Sequence, residues 1–131
     1  MSNDLDIDDN AESCKVVLIG ESGVGKTCIN NRFVLEKFNS NEMFTTSASY
    51  STKTIEFEEY KGKKIKFNIW DTAGEERFRS IGKIFYKDAN AVILVYDITN
   101  EQSFEAIKNY WYFQVMEFCP KNASKSLFKL L

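Results

Sequence analysis

Apolar residues along the chain repeat with two different periods, and each change of period marks an element. Val16, Val17, Leu18 and Ile19 form an unbroken run that ends at Gly20, the pattern of a strand. From Thr27 to about Phe38 the spacing becomes helical, with Ile29, Phe33 and Val34 offering an inward face. Asn39-Ser40-Asn41 breaks that helix, and Glu42 to Ser49 is polar and aperiodic, as in a loop. Ile55 and Phe57, then Ile65, Phe67 and Ile69, alternate with polar neighbours on either side of Lys61-Gly62-Lys63. This predicts a β-hairpin with one buried face. A short helix is expected from about Ile81 to Asp88, with Ile81, Ile84 and Phe85 together. Ala91–Tyr96 is continuous apolar sequence, the mark of a strand buried on both faces. Thr99-Asn100-Glu101-Gln102 has capping-box spacing ahead of a helical pattern at Phe104, Ile107, Trp111, Val115 and Phe118, which Pro120 ends.

Strand, helix, hairpin, helix, strand, helix predicts an α/β fold. Its natural form is a mostly parallel sheet with one antiparallel edge strand, the loop after the first strand lying at the carboxyl ends. A length of 131 residues suits one domain, and 44% hydrophobic content suffices for a packed core. The net charge of −2 gives no electrostatic case for nucleic-acid binding. That charge is unevenly placed. Asp4, Asp6, Asp8, Asp9 and Glu12 precede any basic residue, so residues 1–13 read as an acidic disordered tail and 14–131 as the domain. Cys14, Cys28 and Cys119 lack metal-ligand spacing and suit inert cytosolic thiols. No apolar run approaches the roughly eighteen residues of a membrane span, and the N-terminus lacks the shape of a signal peptide. A cytoplasmic chain is expected. With no His at all, His-dependent triads and His-ligated metals are excluded.

The chemistry concentrates after the first strand. Gly20-Glu21-Ser22-Gly23-Val24-Gly25-Lys26-Thr27 fits the phosphate-binding pattern G-x-x-x-x-G-K-[ST]. Its glycines allow successive N–H groups to point at an anion, and the following helix aims its positive end at the same place. Lys26 adds a charge for the outer phosphates, and the Thr27 hydroxyl can hold Mg²⁺. A chance match in a chain of this length is on the order of one in a few hundred. The loop indicates a phosphate site but not which nucleotide. Asp71-Thr72-Ala73-Gly74 closes a second apolar strand, where an Asp can reach the same Mg²⁺ and a Gly N–H can meet a γ-phosphate.

With these two motifs, Lys66-Phe67-Asn68-Ile69-Trp70, Glu76-Arg77-Phe78-Arg79-Ser80-Ile81 and Val95-Tyr96-Asp97-Ile98-Thr99 make the sequence resemble the Rab branch of the Ras-like small GTPases, from about Lys15 to Ala123. The resemblance implies a phosphate-loop G domain that switches between GTP and GDP with Mg²⁺ in vesicle traffic, with peripheral endomembrane association. Carried over by position, Gly20 to Cys28, together with Phe38, Thr45, Asp71 and Gly74, would hold the nucleotide. Thr27, Thr45 and Asp71 would hold the metal, and Lys26, Thr45 and Glu75 would serve hydrolysis. Effectors, exchange factors and GTPase-activating proteins would bind through residues 38–50 and 71–86. Tyr50, Trp70 and Phe85 look like the family's effector-reading aromatics, though they also read as core.

The departures are specific. Glu75 stands where most of the family carries the Gln that orients water; a carboxylate accepts hydrogen bonds but donates none, so hydrolysis is expected to be slow. The Asn-Lys-x-Asp and Ser-Ala-Lys motifs that read guanine do not occur, so a chain lacking the last strands and helices is expected. No prenylation site is present in the sequence. Ser126-Leu127-Phe128-Lys129-Leu130-Leu131 is apolar enough for a substitute strand beside Ala91–Tyr96, or belongs to an altered reading frame. The alternative function is a non-catalytic fragment acting only through protein contacts.

Overall fold

The computed structural model describes residues 10–36, 49–72 and 82–130, with the backbone alone for 82–83 and 126–130. Its elements run β1 (Glu12–Ile19), α1 (Lys26–Leu35), β2 (Ser49–Phe57), β3 (Lys63–Asp71), α2 (Gly82–Tyr86) and β4 (Ala91–Asp97). Then come α3 (Glu101–Ala106), a π turn (Ile107–Trp111), α4 (Tyr112–Phe118) and β5 (Ser124–Leu130).

The strands form one sheet in the order β2-β3-β1-β4-β5. β1 pairs in parallel with β3 and β4, β5 extends β4 in parallel, and β2 is antiparallel to β3 at the other edge. This is the mostly parallel sheet with one antiparallel edge strand that the element order predicts. β1 starts at Glu12, inside the expected acidic tail, because Glu12 and Ser13 pair with Ile65 and Lys66 and the Glu12 carboxylate meets Lys63 at 2.9 Å. The C-terminal apolar segment takes the strand option, Leu127 lying opposite Leu94.

Val17 and Ile19 point to one face of the sheet and Val16 and Leu18 to the other, all buried, which explains why β1 reads as an unbroken apolar run. On the first face, Val17, Ile19, Val92 and Leu94 pack against Tyr86 of α2 and against Ile107, Trp111 and Val115. On the second, Val16, Leu18 and Ile69 meet Phe33 and Val34 of α1. An apolar cavity of about 400 Å³ remains there, walled by Ile29, Phe33, Ile55, Phe57 and Ile93.

Two local expectations are corrected. In α2 Tyr86, 1% exposed, is the buried residue and Phe85 packs half-buried against the same core as expected, whereas Ile84 is 72% exposed and Ile81 lies outside the described residues. The capping box does not form: Thr99 donates from both N–H and hydroxyl to the Asp97 carboxylate, and Asn100 makes no side-chain cap. Those bonds hold the Asp97 carboxyl below its ordinary pKa.

The helical rod from Glu101 to Phe118 has a property of its own. Ser103, Ile107, Trp111, Val115 and Cys119 are all buried at a strict spacing of four. An α-helix of 3.6 residues per turn would carry such a stripe steadily around its surface. The wider π turn in the middle takes up that drift and keeps the stripe on the sheet.

At the opposite end of the sheet from the loops, Asn90 joins three strands. Its side-chain oxygen accepts from Lys15 N–H at 2.8 Å, its own N–H donates to the Lys15 carbonyl, and its carbonyl accepts from Ser124 N–H, both at 2.9 Å.

Candidate phosphate and metal site

The site assembles at the carboxyl ends of β1 and β3, where strand geometry and loop geometry meet. Gly20 leaves β1 at φ +148°, and a Cβ there would lie 2.2 Å from the Val95 carbonyl oxygen of β4. Only glycine lets the loop rest this closely on the neighbouring strand. Gly25, at φ +102°, ends the loop and starts α1, its carbonyl accepting the first helical bond from Ile29 N–H at 2.9 Å.

Lys26, the first residue of α1, folds back over the loop. Its ammonium donates to the carbonyls of Gly20 at 3.0 Å and Glu21 at 2.9 Å. The side chain is 4% exposed, and burial lowers its pKa to about 8 against the raising influence of the Asp71 and Glu21 charges. The direct partners of this ammonium are thus two neutral carbonyls, with the Asp71 and Glu21 charges acting on it from further off.

Asp71, fully buried, is the last residue of β3 and pairs in register with Leu18 of β1. Thr72 fixes that strand end by donating its hydroxyl to the Leu18 carbonyl at 2.8 Å. The Thr27 hydroxyl in turn donates to Asp71 Oδ2 at 2.6 Å. A hydroxyl and a carboxylate oxygen thus share one point beside the loop. Among the described residues no group of three or more His, Cys, Asp or Glu could enclose a metal. Two hard oxygen donors fit Mg²⁺, which takes one or two protein ligands and fills the remainder with phosphate oxygens and water.

Of the sequence-predicted residues, Gly20, Glu21, Lys26, Thr27 and Asp71 are thereby brought together. Val24 is buried against Gly20, Ser22 and Cys28 are half-buried, and Gly23 is exposed at φ +79°. Phe38, Thr45, Gly74 and Glu75 lie outside the described residues. Cys14, Cys28 and Cys119 form no disulfide among the described residues, and burial raises the pKa of Cys14 and Cys119.

Two contacts escape sequence reading. The Glu21 carboxylate accepts from the Trp111 indole N–H at 2.8 Å, across ninety positions of chain. Asn30, buried on α1, accepts from the Ser51 hydroxyl at 2.9 Å and ties that helix to β2. Tyr50, Trp70 and Phe85 form a continuous cluster, with ring centroids at 4.9 Å and 5.9 Å. Tyr50 is 53% exposed, whereas Trp70 and Phe85 are half-buried, so the group has both a core side and a surface side.

The Ras family model matches residues 15–129. Ras-related protein Rab-13 of Rattus norvegicus is 46% identical over 117 residues, covering 89% of this chain and 54% of the relative. Ras-related protein Rab-8B of Homo sapiens is 52% identical over 96 residues, covering 73% and 45%. Ras-related protein Rab-8A of Bos taurus is 46% identical over 113 residues, covering 86% and 53%. The chain spans about half the length of the curated relatives it matches.

Proposed function

Since the chain belongs to the Ras family as a Rab-like small GTPase, we propose that it binds GTP and GDP with Mg²⁺ and acts as a slow-hydrolysing switch in vesicle traffic. The observation that carries this reading is the pair of contacts around the loop: Lys26 ammonium on two loop carbonyls, and Thr27 hydroxyl on Asp71. Both groups are aimed where the outer phosphates of a nucleotide and their metal would lie.

In this reading the loop N–H groups and the end of α1 bind the phosphates, and Lys26 neutralises charge on the outer ones. Thr27, Asp71 and Thr45 would hold the metal, which when bound would supply electrostatic stabilisation to the phosphoryl group. By position in the family pattern, Gly74 would donate its N–H to the γ-phosphate and Phe38 would stack on the base. By the same positional match, Glu75 would face the attacking water. Its carboxylate can accept from that water but cannot donate to the phosphoryl oxygens, and its charge opposes theirs. Hydrolysis is therefore slow. Effectors, exchange factors and GTPase-activating proteins approach residues 38–50 and 71–86, Tyr50, Trp70 and Phe85 offering the apolar part of that surface. The protein works in the cytoplasm and reaches endomembranes peripherally; among the described residues no helix is long and apolar enough to cross a membrane.

Titration with a fluorescent guanine nucleotide, with and without Mg²⁺ and with ATP as competitor, tests the reading. Saturable, Mg²⁺-dependent binding that GTP displaces and ATP does not is expected, and Lys26→Ala should abolish it. Equal displacement by ATP would remove the guanine assignment. A second reading, contact with partner proteins alone, draws on the exposed edge of the aromatic cluster, and it stands if no nucleotide binds.

A further inference from the structure

The phosphate loop contains a carboxylate, and a carboxylate is out of place among groups gathered to receive an anion. Glu21 lies between Gly20 and the remainder of the loop, and its own carbonyl is one of the two that hold the Lys26 ammonium. Free to turn, its side chain would compete with phosphate for that ammonium and repel the incoming charge. In the structure the side chain is engaged by a residue far along the chain: Glu21 Oε1 accepts from the Trp111 indole N–H at 2.8 Å. The donor is firmly placed. Trp111 is 4% exposed, stacked edge-on against Tyr110 with centroids 4.9 Å apart, and it closes the π turn that keeps its helix stripe facing the sheet.

We propose that Trp111 is a positioning residue for the nucleotide site, acting through Glu21: its indole N–H holds the loop carboxylate turned away from the phosphates. The inference rests on the proposed nucleotide binding and deepens it, by adding a residue of the distal helix to the determinants of phosphate affinity. It makes the π turn part of the site, since a different winding there would move the N–H away from the loop. It also requires that the charge of Glu21, rather than its bulk, is what must be restrained.

The test is a double-mutant cycle read by affinity for a fluorescent GDP analogue in Mg²⁺. Trp111→Phe is expected to weaken binding roughly tenfold, the effect of releasing one charge near the phosphates. In a Glu21→Gln background the same replacement should change affinity by less than about twofold, because no charge is left to restrain. Equal losses in both backgrounds would mean that Trp111 acts by packing alone, and no loss in either would mean that it does not act; both overturn the inference. Should Trp111→Phe fail to fold by circular dichroism, benzothienylalanine at position 111 keeps the ring shape and removes only the N–H, with the same two results expected. Wild-type chain that takes up no nucleotide overturns the proposed function and this inference together. Wild-type binding with parallel losses overturns this inference alone.

Discussion

At Gly20 and Lys26 the loop's demands on single residues are most legible. A methyl group on Gly20 would stand 2.2 Å from a backbone oxygen of β4, and backbone cannot swing aside as a side chain can. Gly20→Ala should therefore cost about 1–3 kcal/mol in urea unfolding and loosen the phosphate site with it. Lys26 makes a pH prediction. Its folded pKa of about 8 lies below the ordinary 10.5, so between those values the unfolded chain holds a proton that the folded chain has released. Stability from this group accordingly rises with pH across that window and is lowest below about pH 8. Thermal unfolding of wild type against Lys26→Met should show the difference moving in favour of wild type from pH 8 to 10.5. Glu75, outside the described residues, carries the hydrolysis prediction: Glu75→Gln should raise single-turnover GTP cleavage, and an unchanged rate would remove the carboxylate as its cause.

Among elements, the loop, both hairpin arms and β4 were legible in the sequence because each follows one strong local rule. The pattern of Ala91–Tyr96 can only be a strand covered twice, and Lys61-Gly62 only a turn. What was not legible depended on partners distant in sequence. Tyr86 and Phe85 of α2 turn towards the core while Ile84 turns outward, a choice that rests on what the long helical rod and β4 present to α2. The Thr99 cap failed because Asp97, two residues earlier, offered a charged acceptor at 2.7 Å. The Glu21–Trp111 contact joins two elements, so no local pattern announces it, and the expected face at Phe104, Ile107, Trp111, Val115 and Phe118 has ordinary α-helical spacing that gives no sign of the π turn. Deleting exposed Asn109 should convert the π turn to α and leave the chain folded, with far-UV dichroism preserved. Inserting an alanine after Phe113 should rotate Cys119 by about 100° and lower the unfolding temperature markedly.

At the scale of the molecule, the described residues cover the two faces of the sheet unequally. One is covered by α2 and the long helical rod, whereas the other carries α1 and an apolar cavity of about 400 Å³. The folded chain should therefore enhance the fluorescence of a hydrophobic dye such as anilinonaphthalene sulfonate, and Ile55→Glu, at the cavity wall, should reduce that enhancement without abolishing nucleotide binding.

Asn90 is a common anchor for three neighbouring strands. Its three bonds tie the start of β4 to β1 and to β5 at the same end of the sheet. Only the bond to Lys15 N–H is made by the Asn90 side chain, so Asn90→Ala keeps the two backbone links while leaving that N–H without its acceptor, and it should lower the urea midpoint of unfolding.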